Sequence, residues 1–561
     1  MAGEIPRVGD PHADALAFAR WAEPFQATVV LVAAVTLARV FYALLLNPYP
    51  LIEDEAHYWE WARRLDWSYY SKGPGIAALI RAGVEVFGHT EGAVRIGSAL
   101  ASGVTAMSVA GLAREAFRRS ALRGRAAFFS ACACFLTPAF QVTALLGTID
   151  GPYVASWAAA SWAALRAFRT NAIRVWLGFG LAVAIGFTFK YTVLLLIPGV
   201  VLFGLVHRRT RRRLRDRPFG LVLGLMTCLL GLVPVLVWNA QNDWATVRHL
   251  LGHLGVEGGD QPSSGEPYRV VQTLEYVGVQ LAVLGATSGM IAAALVGMVR
   301  HRRPQNPNYR GQLFCVCCAG PILVFYFVVS FFTEPEANWP IAGYVTLLSM
   351  AGYTLVNGMV IYRGRVALWR ELPRPRPRAG FFRKQPETFR QAAWTAMLVS
   401  GIVTGVGLLR IDLVADGVNG ALGTEISLGR LTSARAMAQD AAALGDRVAA
   451  EAGLDGPPLF IAQHYGRASL LAFYLPGRPT VYCASAFTGG RRSQYDVWAE
   501  TDLADPGLAG RTAVLSGAKQ WQWAEAFDEV EPVGPLERDH KKRAVFVGRG
   551  FRGFAADGAK P

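Results

Sequence analysis

Charge is scarce in this chain. Asp, Glu, Lys and Arg make up 17% of its 561 residues against 52% hydrophobic ones, which is too little polar surface to cover a single water-soluble globule of this length. Lipid is the expected solvent. Cysteine is sparse too: Cys132, Cys134, Cys228, Cys315, Cys317 and Cys318 lie inside apolar runs, and Cys483 alone falls in the polar C-terminal stretch. A lone thiol there excludes an intramolecular disulfide framework, and Cys315-x-Cys317-Cys318 lacks zinc-ribbon spacing. The start has no short basic leader and no clear small-residue cleavage site, carrying Asp10, Asp14 and Glu23 instead, so the first apolar run is expected to stay in the mature protein. No repeat of solenoid period is visible.

What the chain has instead is long apolar runs. Phe25 to Leu46, Leu221 to Trp238 and Leu313 to Phe332 carry almost no charge, and about twenty residues at roughly 1.5 Å each cross a bilayer core. The net charge of +15 is concentrated in short segments between such runs: 114–125, 166–174, 207–217 (HRRTRRRLRDR), 300–310 and 363–390. That pattern marks cytoplasmic loops and argues against a nucleic-acid partner. With those loops inside, about eleven spans alternate, near 25–46, 92–112, 126–146, 151–167, 175–188, 191–206, 218–238, 276–299, 313–332, 340–361 and 391–409.

The outward segments are poor in basic residues, and Glu53, Asp54, Glu55, Glu60 and Asp66 gather in the first of them. The expected organisation is a cytoplasmic N-terminus (1–24), a transmembrane domain (25–410) with a first external loop (47–91), and an outward-facing soluble domain (411–561). The segment 372–386 reads as a proline- and arginine-rich cytoplasmic linker. In the tail, a helical pattern over 431–452 precedes strand-like runs at 458–462 and 479–482, which predicts a small α/β domain. The fold class is thus a polytopic α-helical membrane protein with a small C-terminal α/β extracytoplasmic domain.

The stretch Leu51 to Ala99 (LIEDEAHYWEWARRLDWSYYSKGPGIAALIRAGVEVFGHTEGAVRIGSA) carries the most chemistry. Three consecutive acids against a hydrocarbon boundary must be solvated, paired or used. A solvated acidic turn beside an interfacial aromatic belt accounts for the composition as well as a catalytic site does.

The ordered motifs decide between these readings. Asp54-Glu55-Ala-His-Tyr-Trp-Glu-Trp61, Leu65 to Pro74, Gly88 to Ile96, Thr148-Ile-Asp-Gly-Pro152, Lys190-Tyr191 and Glu336-Ala-Asn-Trp-Pro340 together resemble the membrane glycosyltransferases of GT-C architecture. Family 39 and the aminoarabinose-transferase type, related to protein O-mannosyltransferases, are nearest in pattern. The tail motifs Phe473-Tyr474 and Gln494 to Trp498 resemble bacterial members. One departure is Lys72-Gly73-Pro74-Gly75, where many relatives have consecutive prolines.

The resemblance implies inverting transfer of a sugar from a polyprenyl (undecaprenyl) phosphate to a lipid, glycan or protein acceptor of the cell envelope, on the periplasmic face of a bacterial inner membrane. Asp54, with Glu55 beside it, takes the place of the acid that serves as general base or orients the acceptor, and Asp150 becomes a second site acid. Lys72, Lys190 and Arg95 are the candidates for the donor phosphate, and Tyr58, Tyr70, Tyr191, Asn338 and Trp339 for substrate contacts. No metal site is expected; paired acids near His57 and His89 would suit a divalent cation, but no spacing compels one. From another class, a transporter or lipid flippase also has many spans and intramembrane charges, yet it tends to place them at the midplane and to repeat half its architecture. A non-catalytic assembly protein leaves the acids and lysines unexplained.

Overall fold

The computed structural model describes residues 25–253, 270–300, 308–371 and 385–554. The expected N-terminus 1–24, most of the basic segment 300–310 and nearly all of the linker 372–386 lie outside them. Among the described residues, helices Phe25–Leu46, Glu91–Ala116, Phe219–Gln241 and Tyr309–Val329 are each long and apolar enough to cross a bilayer. Four bent pairs raise the number to eight if each pair is one span. By length and composition alone the count therefore stops short of eleven.

The bends have local causes. Arg123–Leu136 and Pro138–Leu145 meet at 67°, where Pro138 opens the second helix because it cannot donate a backbone N–H to continue the first. Asp150–Thr170 and Ile173–Phe189 are also helices. They pack closely on one another, and Asp150–Thr170 also packs on Glu91–Ala116. The basic segment expected as a loop folds into a short exposed helix, Arg208–Asp216, turned 99° from the apolar one before it.

The first external loop contributes two helices, Glu53–Arg63 and Gly75–Phe87. Past residue 410 the chain forms helix Ala434–Glu451, helix Tyr465–Tyr474 and a five-stranded sheet. Its strands are β1 (Leu459–Ala462), β2 (Tyr482–Cys483), β3 (Ala513–Ser516), β4 (Phe527–Pro532) and β5 (Val545–Phe551), in the order β2-β1-β3-β5-β4. The pairs β1–β2 and β1–β3 are parallel, with Ile461 opposite Tyr482 and Leu515; β5 runs antiparallel to both β3 and β4. The sequence predicts β1 and, shifted by some residues, β2; the last three strands went unread. All seven cysteines are free, and Cys483 is buried.

The tail does not bury its apolar side alone. Met437, Phe460, Leu471, Phe473 and Tyr495 belong to the same continuous core as Trp59, Trp61 and the membrane helices, whereas Leu459, Ile461, Leu515, Trp523 and Phe527 form a second core on the other face of the sheet. Trp59 meets Phe473 edge to face at 4.9 Å. The Tyr474 hydroxyl donates to Glu91 and accepts from the Leu51 amide at 2.6 Å, while Arg435 holds Glu91 from the other side.

Candidate active site

Helix Glu53–Arg63 sends its three leading acids in three directions. Glu53 pairs with Lys541 of the tail at 2.9 Å. Glu55 is fully buried and receives both Nε and Nη2 of Arg95 at 2.7 Å, the Gly147 amide at 2.6 Å and the Ile52 amide at 3.0 Å. Arg95 also donates to the carbonyls of Tyr49 and Pro50. This two-pronged pair fastens the first loop to helix Glu91–Ala116. Both members were expected in the chemistry, and the structure turns them toward each other.

Asp54 alone of the three remains exposed, and no hydrogen bond or ion pair joins its carboxylate to another described residue. Protein nevertheless surrounds it. Burial, with the Glu53 carboxylate next to it, holds Asp54 above the usual aspartate value, against the pull of Lys72 and Arg491. Tyr58, one helical turn on, is buried and keeps its phenolic proton firmly: burial raises its hydroxyl well above the ordinary value, and Asp54 adds to the effect.

Lys72 lies within electrostatic reach of the same carboxylate. Its ammonium likewise has no hydrogen-bonded partner among the described residues, and burial, aided by the positive Lys190, pushes it down to about 8. The departure Lys72-Gly73-Pro74-Gly75 explains its place: a Cβ on Gly73 would lie 2.6 Å from the Thr188 carbonyl oxygen, so glycine lets this loop press against the residues just before Lys190.

Asp150 is the first residue of helix Asp150–Thr170, a position where a carboxylate often only caps the helix. Here it does something else. Lys190 Nζ donates to its Oδ1 at 2.9 Å and Asn338 Nδ2 to its Oδ2 at 2.6 Å, all three drawn from separate elements, and Lys190 stands 5.4 Å above the Tyr153 ring.

The remaining expected residues sit around this centre. Tyr191 packs against Phe187 at 4.9 Å and Trp339 against Tyr326 at 5.5 Å. Tyr70 is directed elsewhere: its amide donates to Gln494 Oε1 of the tail at 2.6 Å and its ring lies 5.2 Å from His249. His57 is buried, bonded to Ser469 at 3.2 Å, and burial pushes it down to about 3; His89 accepts from the Trp59 indole at 3.0 Å. Among the described residues no group of three or more His, Cys, Asp or Glu converges as metal ligands.

The tail supplies what the sequence reading missed. Arg491 donates to the Tyr465 hydroxyl at 3.0 Å, and the Tyr465 ring lies tilted against His57 at 4.5 Å. The Arg491 guanidinium acts electrostatically on Asp54, Tyr58 and Lys72 at once, and no carboxylate among the described residues pairs with it. The available signal was Arg491-Arg492 after two glycines, beside the tail motif Gln494 to Trp498.

The chain resembles known proteins in sequence and in fold. Residues 71–238 match the dolichyl-phosphate-mannose-protein mannosyltransferase family. The chain is 25% identical over 305 residues to lipid A galacturonosyltransferase RgtD of Rhizobium johnstonii, covering 54% of this chain and 60% of that protein. It is 26% identical over 274 residues to undecaprenyl phosphate-alpha-4-amino-4-deoxy-L-arabinose arabinosyl transferase 2 of Proteus mirabilis, covering 48% of this chain and 46% of that one. The matches thus span about half the length of these relatives. Its fold is that of ArnT from Cupriavidus metallidurans, solved with undecaprenyl phosphate, at a TM-score of 0.58 and 18% identity over 95% of this chain and 99% of that one. The resemblance to polyprenyl-phosphate-dependent membrane glycosyltransferases of GT-C architecture, drawn from the motifs, is borne out.

Proposed function

We propose that this chain transfers a sugar, with inversion, from a polyprenyl phosphate to a cell-envelope acceptor on the periplasmic face of a bacterial inner membrane. The observation that carries the reading is a pair of oppositely charged groups, Asp54 and Lys72, that have no partner among the described residues and lie within electrostatic reach of each other and of the Asp150–Lys190 pair. A carboxylate kept above its usual value in a partly dry site is a competent general base for an incoming hydroxyl. An ammonium without a carboxylate partner is suited to a phosphate ester. The names of the relatives, a lipid A galacturonosyltransferase and an arabinosyl transferase for an undecaprenyl-phosphate-linked sugar, supply the substrate class.

In the step envisaged, the acceptor oxygen attacks the anomeric carbon as the bond from that carbon to the phosphate oxygen breaks. The acceptor's proton passes to Asp54, and the polyprenyl phosphate departs with the bonding pair, its charge met by Lys72 and Lys190. If the acceptor is itself a phosphate, no proton need leave and Asp54 orients the nucleophile. Glu55 and Arg95 act by holding the loop, and Arg491 with Tyr465 closes the recess from the tail. Asp150, paired with Lys190 and hydrogen-bonded by Asn338, positions the lysine. The acceptor class is a lipid, glycan or protein of the envelope.

Purified protein given a polyprenyl phosphate bearing a radiolabelled sugar should release polyprenyl phosphate, and Asp54→Asn should stop release while the variant stays folded. Unchanged turnover in Asp54→Asn removes Asp54 from the mechanism. Label moved across sealed vesicles with the sugar still on its lipid would identify a flippase instead.

A further inference from the structure

A second cavity, of about 130 Å³, opens between the two first-loop helices and away from the Asp54 recess; it is lined by Trp59, Arg63, Arg81, Glu85 and His89 together with small apolar side chains. Its donors are set by the surrounding contacts. An indole nitrogen only donates, so the 3.0 Å bond from Trp59 Nε1 makes His89 Nδ1 the acceptor and leaves the ring proton on Nε2. His89 itself is exposed. Arg63 is fixed by Glu60 at 2.9 Å and by the Arg478 carbonyl at 3.2 Å, and it stacks over Trp59 at 4.9 Å. Among the described residues Arg81 is bound only by Glu85, its exposed neighbour one turn along the helix, a kind of pair that contributes little in water.

The wall is positively biased. Burial and then Arg478, Arg63 and Arg81 hold His89 below its usual value, with Glu85 opposing. Arg478 adds strain to the rim: it adopts φ +49° and donates to the His89 carbonyl at 3.0 Å, while its buried Nε has no partner. Val86 and Phe87, which directly follow the lining residue Glu85, are large, apolar and exposed, at 72% and 42%, as a surface in contact with acyl chains would be.

We infer that this cavity binds the headgroup of a membrane phospholipid, with the phosphate against Arg63, Arg81 and His89 Nε2 and an amine, as in phosphatidylethanolamine, against Glu85. An anion alone would meet the Glu85 carboxylate unfavourably. A zwitterion satisfies both signs at once, with its acyl chains lying along Val86 and Phe87. The site is separate from the proposed catalytic recess and stands or falls without it.

The test uses the full chain in a detergent without phosphate, titrated with short-chain phosphatidylethanolamine, phosphatidylglycerol and diacylglycerol and read by native mass spectrometry. Phosphatidylethanolamine should bind best and diacylglycerol least. Arg81→Gln, a change at an exposed position that leaves the core intact, should weaken phosphatidylethanolamine about tenfold. Glu85→Gln should erase the preference for ethanolamine over glycerol. Unaltered binding in Arg81→Gln overturns the site. Equal binding of phosphatidylglycerol by the unmodified chain overturns the ethanolamine assignment.

Discussion

Lys190 Nζ lies 2.9 Å from Asp150 Oδ1, with Asn338 holding the other carboxylate oxygen at 2.6 Å. Both charges are buried, so neither is kept by solvation. Removing one partner from such a pair leaves an uncompensated charge, which costs about 3–5 kcal/mol. Asp150→Ala and Lys190→Met should each lower the melting temperature in detergent sharply, and Asn338→Ala should do so by less, since it forfeits a single hydrogen bond worth about 1–3 kcal/mol.

Glu55 and Asp54 are adjacent in sequence and should respond oppositely to substitution. Glu55→Ala strands a buried arginine that makes two of its bonds to this carboxylate, so it should abolish stable expression or cost about 3–5 kcal/mol. Asp54→Asn should express normally and fail in turnover. Size-exclusion profiles and a transfer assay on the same samples separate the two outcomes.

Turnover should depend on pH with two limbs. The acid limb belongs to Asp54, whose ionised form is needed and whose value is raised by burial and Glu53, so it should lie above the ordinary aspartate range. The alkaline limb belongs to Lys72, whose ammonium is lost near pH 8. Lys72→Arg should move the alkaline limb to higher pH and leave the acid limb in place. For stability the sign follows from Asp54's raised folded value: the contribution is full in acid and is lost as pH rises through that value. Asp54→Asn should therefore gain stability relative to the unmodified chain at neutral pH, and the difference should vanish in acid; melting curves across pH check it.

Much of the candidate site was legible because a few residues are chemically out of place in lipid. Lys190 interrupts an apolar run, and Asp54 and Asp150 stand at span boundaries. Such residues are conspicuous against hydrocarbon, and the structure gathers them with Lys72 and Asn338. Glu55 and Arg95 are equally conspicuous, and composition cannot distinguish a charge retained to react from one retained to fasten. That distinction lies in which atoms they meet across 40 residues of chain. Helix direction was not legible, since hydropathy has no term for it: a bend at Pro138 or the 101° turn between Val270–Leu284 and Thr287–Arg300 is invisible to it.

The tail was the least legible part. Its strands are short, and β3 to β5 acquire their apolar neighbours only through pairing. Its docking depends on contacts more than 400 residues distant in sequence, among them Tyr70 to Gln494 and His57 to Ser469. Because one of its cores is shared with the first loop and the membrane helices, residues 411–561 expressed alone should aggregate or bind hydrophobic dyes. A folded, monomeric fragment by size-exclusion chromatography and circular dichroism would contradict the shared core.

Arg491 provides a direct probe of that dependence. Arg491→Ala should lower turnover about 10- to 100-fold, by analogy with loss of a single preorganised electrostatic contact, with Arg491→Lys partly restoring it. The Asp54 limb should shift upward in the alanine variant, since a cation that favours its ionised form is gone. A merely structural arginine would leave that limb unmoved.

Helix Tyr465–Tyr474 meets helix Glu53–Arg63 so closely that a methyl group on Gly466 would sit 2.6 Å from the Glu53 Cβ. Space for even one carbon atom is missing at the seam. The reactive end of the first loop is therefore wedged in place by a backbone atom encoded more than four hundred codons downstream, and a change as small as Gly466→Ala would be felt next door to Asp54. Two distant stretches of the gene must vary in concert, or the seam opens.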